Sequence, residues 1–146
     1  MNTHEQKASE LFSQGYNCAQ SVLGAYAEEL DIDFETLLKL SSSFGGGMGK
    51  LREVCGAVSG MFMVAGLKQG YATANDDKKK EIHYTLIQEL GHKFEKEHNS
   101  LICRELLNLN EKESSPKPSK RTENFYEERP CAKFITSACK ILDETL

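Results

Sequence analysis

The residues of this chain best suited to redox or metal chemistry are its five cysteines: Cys18, Cys55, Cys103, Cys131 and Cys139. A cysteine thiolate attacks disulfides and binds metal ions, so a chain rich in cysteine points to one of these uses. No two of these cysteines have the CxxC spacing that is typical of zinc ribbons and thioredoxin-like dithiols. From spacing alone, metal binding, thiol redox chemistry and simple burial all remain open.

Three of the cysteines are predicted to lie at helix N-termini. Cys18 follows Asn17, which is a good N-cap residue. Cys131 follows a proline, which is typical of a first helical turn. Cys103 lies in the opening turn of a short helix, with Ser100 as its candidate cap. The unpaired N–H groups and the dipole at a helix N-terminus favour the thiolate, which is the reactive form.

The fourth position, Cys55, lies in an uncharged stretch, Val54 to Leu67, that is predicted to be a buried helix with Cys55 one turn inside it. The small residues of CGAVSG would let a neighbouring backbone or a compact inorganic centre come close. The preceding loop, SFGGGMGK, is expected to make tight turns near Cys55, with an anion site at the next helix N-terminus as the alternative. Lys50 and Arg52 are interpreted as solvated surface residues, with tuning of a thiolate or cluster as the alternative.

Apolar residues recur at helical spacing along nearly the whole chain, and no period-two alternation is long enough for a strand. The sequence therefore predicts a single all-α domain over residues 1–146, an irregular bundle of about six helices. Polar residues and two prolines predict an exposed loop from about Asn108 to Glu128. A helix from about Asp76 to Asn99 would be roughly 35 Å long, so its exposed part is a candidate homodimer surface. Cys139 is interpreted as a packing residue of the last helix.

Composition excludes several classes of protein. With 18 basic and 22 acidic residues and no basic stripe, the chain lacks the electrostatic footprint of a nucleic-acid-binding protein. Its N-terminus is polar and has no apolar signal-peptide core, which predicts a cytoplasmic protein. The longest uncharged run is too short and too rich in glycine for a membrane-spanning helix, so no membrane insertion is expected.

Two ordered motifs, FGGGMG at Phe44–Gly49 and CGAVSG at Cys55–Gly60, resemble the signature of the C_GCAxxG_C_C family of redox-active proteins. The stretch GYNCAQSVL, the stretch CRELL and a cysteine that opens the last helix extend this resemblance over nearly the whole chain. The sequence Cys-Gly-Ala stands where the family's name has Gly-Cys-Ala, so the central motif is matched loosely. The resemblance implies a four-cysteine site made of Cys18, Cys55, Cys103 and Cys131, with Cys139 as the alternative for the last position.

The resemblance implies redox activity, and the family is also similar to the iron–sulfur part of split-Soret cytochromes. We therefore favour an electron-transfer or redox-sensing protein that carries an iron–sulfur cluster, most simply [2Fe–2S], on those four cysteines. Its electron partner would be an unidentified redox protein. One alternative is a metal-free thiol/disulfide oxidoreductase. Another is a helical interaction module with a structural four-cysteine zinc site or with buried free cysteines.

Overall fold

A computed structural model describes residues 2–109 and 115–146 of the chain. In these residues the helical segments are, in order, α1 (Thr3–Ser13), α2 (Cys18–Ala25), α3 (Phe34–Ser42), α4 (Gly45–Met48), α5 (Gly56–Gln69), α6 (Asp77–His98), α7 (Cys103–Leu106), α8 (Glu123–Glu128) and α9 (Cys131–Thr145). Six of them have eight residues or more, and α4, α7 and α8 are shorter. Over the same residues the only β-type pairing is an isolated bridge. The prediction of an irregular all-α fold is confirmed.

Local capping explains where several helices begin. The Asn17 side chain accepts a hydrogen bond from the Gln20 N–H at 2.8 Å, and the Gln20 side chain accepts one from the Asn17 N–H at 3.0 Å. Asp33 and Asp76 each accept a hydrogen bond from the backbone N–H three residues later. Such bonds satisfy N–H groups that have no partner inside the helix. The Asn17 cap agrees with the sequence prediction, and Asp76 lies at the predicted start of its helix.

The centre of the bundle is the close contact between α2 and α5. A Cβ atom added at Gly60 would lie 2.9 Å from the Ala19 carbonyl oxygen, and one added at Gly56 would lie 3.1 Å from the Ala19 nitrogen. Side chains at these two positions would therefore force the helices apart. The small residues after Cys55 allow the close approach of a neighbouring backbone, as the sequence predicted.

The last helix, α9, packs its apolar face against the same core. Ile135, Cys139 and Leu142 are each fully buried. Because Cys139 faces this core and does not line the cavity shared by the other cysteines, its interpretation as a packing residue is confirmed.

The prediction of a continuous loop from about Asn108 to Glu128 is wrong at its C-terminal end, where α8 forms. The Thr122 hydroxyl accepts a hydrogen bond from the Phe125 N–H at 3.2 Å and so caps this helix. Phe125 is partly buried and packs on Phe12 at a ring distance of 6.4 Å. The Phe125 ring thus anchors α8 on the bundle, although the composition of the segment is mostly polar. Residues 110–114 of the predicted loop lie outside the described residues.

The longest described helix, α6, has the bounds that the sequence predicted. It is capped by Asp76 at its start, and Asn99 ends it in the left-handed conformation at a φ of 70°. Ile82 is 63% exposed and Tyr84 is half exposed, so this helix has exposed apolar side chains. The homodimer stays a prediction. In the described part of the chain, no helix combines the length and apolarity needed to span a membrane.

Candidate functional site

Four cysteines that are far apart in sequence line one cavity of about 30 Å³: Cys18, Cys55, Cys103 and Cys131. Cys18, Cys103 and Cys131 are the first residues of α2, α7 and α9, as predicted. Cys55, Cys103 and Cys131 are buried, whereas Cys18 is partly exposed. The fold therefore brings together the four positions that the sequence analysis singled out.

The prediction that Cys55 lies one turn inside its helix is wrong, because Cys55 is the N-cap of α5. Its backbone is not helical, with a φ of −53° and a ψ of 133°, and its N–H donates to the Leu101 carbonyl at 2.8 Å. The Cys103 N–H donates to the Glu53 carbonyl at 2.6 Å, in register with an antiparallel bridge between Val54 and Ile102. This short pairing delays the start of α5 until Gly56 and sets Cys55 beside Cys103.

The prediction of Ser100 as the cap of the Cys103 helix is also wrong. The residue before α7 is Ile102, and no side chain caps the helix. The Ser100 hydroxyl instead accepts a hydrogen bond from the Ile102 N–H at 2.9 Å and donates one to Glu105 at 2.7 Å. Ile102 is held by the antiparallel pairing and occupies the N-cap position, so Ser100 lies two residues before the cap and its hydroxyl bonds to Ile102 and to the Glu105 side chain, not to a backbone N–H of α7.

The glycine loop forms one wall of the cavity. Gly47 has a φ of +72°, and a Cβ atom there would lie 2.6 Å from the Cys103 Cβ and 2.8 Å from the Arg52 Cα. The Gly46 carbonyl accepts from the Arg52 N–H, and the Gly47 carbonyl accepts from the Glu53 N–H. Both the left-handed backbone and the close contact require glycine at position 47. The tight turns predicted near Cys55 are present, and Gly47 packs against Cys103.

Arg52 is a buried site residue, which corrects its interpretation as a solvated surface residue. Only 3% of it is exposed, and its Nη1 donates to the Cys103 Sγ at 3.6 Å. Its backbone is held by the glycine loop on one side and by the Arg104 N–H on the other. These backbone bonds come from segments distant in sequence, so local pattern alone could not place the side chain. The feature of the sequence that could have indicated this role is the position of Arg52 between the glycine loop and Cys55.

The thiols of Cys18 and Cys131 line the same cavity and shift each other's pKa. A hydrogen bond from Cys18 lowers the pKa of Cys131 to about 7, against the opposing effect of burial and with help from Arg129, Arg52 and Arg121. The same hydrogen bond and burial raise the pKa of Cys18. In the metal-free protein Cys131 is therefore partly thiolate at neutral pH, whereas Cys18 keeps its proton.

The other two thiols behave differently. Burial raises the pKa of Cys55 to about 12. Burial also raises the pKa of Cys103, although the hydrogen bond and the positive charge of Arg52 oppose that shift. Both thiols are neutral at physiological pH unless a metal replaces their protons.

The described arrangement gathers the thiols around a cavity and not at one point. No group of three or more His, Cys, Asp and Glu side chains is placed to hold a metal ion, as far as the described residues go. A tetrahedral zinc site needs all four sulfurs at about 2.3 Å from one ion. The four sulfurs would therefore have to come closer together before they could share a single ion.

The comparison with protein families gives one match. The family model described as "Putative redox-active protein (C_GCAxxG_C_C)" matches residues 16–145, which include all five cysteines. No curated protein and no solved structure matches the chain.

Proposed function

Because the chain belongs to the C_GCAxxG_C_C family, we propose that it is an electron-transfer or redox-sensing protein with an iron–sulfur cluster. The cluster, most simply [2Fe–2S], would be held by Cys18, Cys55, Cys103 and Cys131. The observation that carries this proposal is that these four thiols, from distant parts of the chain, line one cavity.

The chemistry of the site suits such a group. Four thiolates are the usual ligand set of an iron–sulfur cluster, and they would be spread over two or more irons. Thiols that surround a cavity without meeting at one point suit this division better than they suit one zinc ion. Gly47 keeps that wall of the cavity free of a side chain. A bound cluster would supply a one-electron couple.

The protein's own residues would set the properties of that couple. Arg52 places a positive charge beside Cys103 in a buried setting, where charges act strongly. Positive charge near a cluster favours its reduced form and raises its reduction potential. Burial of Cys55, Cys103 and Cys131 keeps most of the site away from water. Cys18 is the ligand nearest solvent and so marks the side from which an electron partner would approach.

A second candidate is a metal-free thiol/disulfide oxidoreductase, and the pair of Cys18 and Cys131, whose thiols shift each other's pKa, favours it. The Cys131 thiolate would attack a substrate disulfide, releasing one substrate thiolate and forming a mixed disulfide. Cys18 would then give its proton to the released substrate thiolate and attack the Cys131 sulfur, releasing the second substrate thiolate and leaving a Cys18–Cys131 disulfide. A structural zinc site and a module without chemistry are the remaining alternatives.

The deciding experiment measures iron, zinc and acid-labile sulfide, with a visible spectrum, on protein purified without oxygen. Iron with equal sulfide in the native protein, lost in Cys55→Ser and kept in the matched control Cys139→Ser, supports the cluster. Zinc alone makes the site structural. Metal-free protein that forms a Cys18–Cys131 disulfide on mild oxidation, identified by mass spectrometry of peptides, supports the oxidoreductase and refutes the cluster.

A further inference from the structure

Residues 115–129, which we call the strap, lead into α9 and form one wall of a cleft beside the cysteine site. The cleft has a volume of about 590 Å³ and is lined by both Cys18 and Cys131. Its other walls are the start of α2 and the glycine loop. That volume lies in the range of sites that hold small molecules. The strap therefore borders a route by which a molecule in solvent would reach these two thiols.

The described contacts of the strap with the rest of the protein are made by side chains and not by backbone pairing. Among the described residues, the hydrogen bonds between backbone groups that involve the strap stay within it. Most of its described residues are exposed. A segment with few buried contacts and no backbone ladder to its neighbours opens at a lower free energy than the core. The strap is therefore suited to open while the bundle stays folded.

Arg121 makes the most extensive of these contacts. Its Nη1 donates to the Phe12 carbonyl and its Nη2 to the Tyr16 carbonyl, each at 2.9 Å. The guanidinium also lies over the Phe12 ring at 4.3 Å and the Phe125 ring at 5.1 Å. Tyr16 lies two residues before Cys18, so these bonds fasten the strap to the segment that leads into that cysteine. A planar guanidinium makes two such bonds at once in a fixed geometry.

Two further contacts hold the strap on either side of Arg121. Lys50 of the glycine loop donates its Nζ to the Lys117 carbonyl. Phe125 packs on Phe12, which is a buried residue of α1. Because Lys50 and Phe12 both line the cleft, the strap bridges it from the glycine loop to α1.

We propose that Arg121 is a latch that holds the strap across the cleft, so that small molecules reach Cys18 and Cys131 whereas a protein reaches them only after the strap opens. Cys131 is only 9% exposed, so a reacting group has to enter the cleft to contact it. The latch would thus select small molecules over proteins as the direct partners of this thiol. The inference goes beyond the proposed function, because the contacts of Arg121 are the same whether the cysteines hold a cluster or form a dithiol.

Labelling with two maleimides that differ in size tests the latch. N-ethylmaleimide is small enough to enter the cleft, whereas a maleimide attached to a long polyethylene glycol chain is not. Both are applied to the full chain as purified and again after a chelator has removed any bound metal. The rate at each cysteine is measured by mass spectrometry as the loss of the unmodified peptide, and it is divided by the rate in urea-unfolded protein. We expect the native fold to slow the polymer reagent at Cys18 and Cys131 much more than it slows N-ethylmaleimide.

A charge-conserving variant then isolates the latch. Arg121→Lys keeps the positive charge that helps to lower the pKa of Cys131, but an ammonium group does not reproduce the paired geometry of a guanidinium. The polymer reagent should therefore react about tenfold or more faster at Cys18 and Cys131, as the loss of one charge-assisted hydrogen bond predicts. N-ethylmaleimide should react at an unchanged rate. The matched control Lys120→Arg makes the reverse exchange at the neighbouring exposed position and should change neither rate.

Three results would overturn the inference. The first is equal slowing of the two reagents by the native fold, and the second is an equal rate of the polymer reagent in Arg121→Lys and the native protein. The third is a parallel rise in the labelling of Cys139, which is fully buried in the core, because Arg121 would then support the whole bundle and not the strap. Iron and sulfide are measured on the same samples, so a failure of the latch leaves the proposed function standing.

Discussion

The contact between Gly47 and the site makes a sharp prediction about a single methyl group. Gly47→Ala would add a Cβ atom at 2.6 Å from the Cys103 Cβ, 2.8 Å from the Arg52 Cα and 2.9 Å from the Glu53 nitrogen. Two of these neighbours are backbone atoms held by hydrogen bonds, so they cannot turn away as a flexible side chain would. We expect the variant to be strongly destabilised.

The expected loss of unfolding free energy has two parts. An alanine at a φ of +72° costs about 1–2 kcal/mol, because its Cβ approaches the following carbonyl oxygen. Overpacking a dense interior costs about 1–3 kcal/mol more. Together they give a loss of about 2–5 kcal/mol, which is a large part of the total stability of a typical domain.

Two matched variants separate these parts in urea unfolding followed by circular dichroism. Gly49 also has a positive φ, of +59°, but its added Cβ would meet only the Ser43 carbonyl at 3.8 Å, an ordinary contact. Gly49→Ala should therefore lose only the conformational part, about 1–2 kcal/mol. Gly66 lies in α5 with nothing within 4 Å, so Gly66→Ala should gain about 0.5–1 kcal/mol.

The result that would refute the reasoning is equal destabilisation by Gly47→Ala and Gly49→Ala. Such a result would mean that the glycine loop does not pack against Cys103 and Arg52 in solution. A further readout is the alkylation rate of Cys103 in native metal-free protein below the midpoint of unfolding. We expect this rate to rise in Gly47→Ala and to stay unchanged in Gly49→Ala.

Three other predictions concern single cysteines and the exposed face of α6. In metal-free protein, the rate of alkylation of Cys131 by iodoacetamide should rise with pH and reach half its maximum near the pKa of about 7. Cys18→Ala removes the group that lowers this pKa, so the midpoint of the rate should move to higher pH. An unchanged midpoint would contradict the pairing of Cys18 with Cys131. Cys139→Ala should lower the unfolding free energy by about 1–2 kcal/mol, because packing in the core is lost. The metal content and the reactivity of Cys131 should stay unchanged. An altered metal content would instead indicate that Cys139 is a ligand. Light scattering of the native protein tests the predicted homodimer, and a monomeric native protein would rule it out. If the protein is a dimer, Ile82→Glu should make it monomeric, because Ile82 is the most exposed large hydrophobic residue among those described.

Much of the local structure follows from the sequence by itself. Asn17, Asp33 and Asp76 each cap a helix through a hydrogen bond to a residue three positions later, and such a bond depends only on neighbouring residues. The apolar period of 3.6 residues likewise marks the helices that build the bundle. The places of Cys18 and Cys131 as first residues of their helices could therefore be predicted, and so could the burial of Cys139.

The details of the site depend on contacts between distant segments, which no local pattern encodes. The antiparallel pairing of residues 53–55 with residues 101–103 moves Cys55 from the helix interior to the N-cap and places it beside Cys103. The glycine loop and the Arg104 N–H fix the backbone of Arg52, so a residue that resembles a surface cation is buried against a thiol. The sequence by itself singled out the four cysteines of the candidate site, whereas only the tertiary structure decided how they and Arg52 are arranged, because backbone pairing across the chain sets their positions.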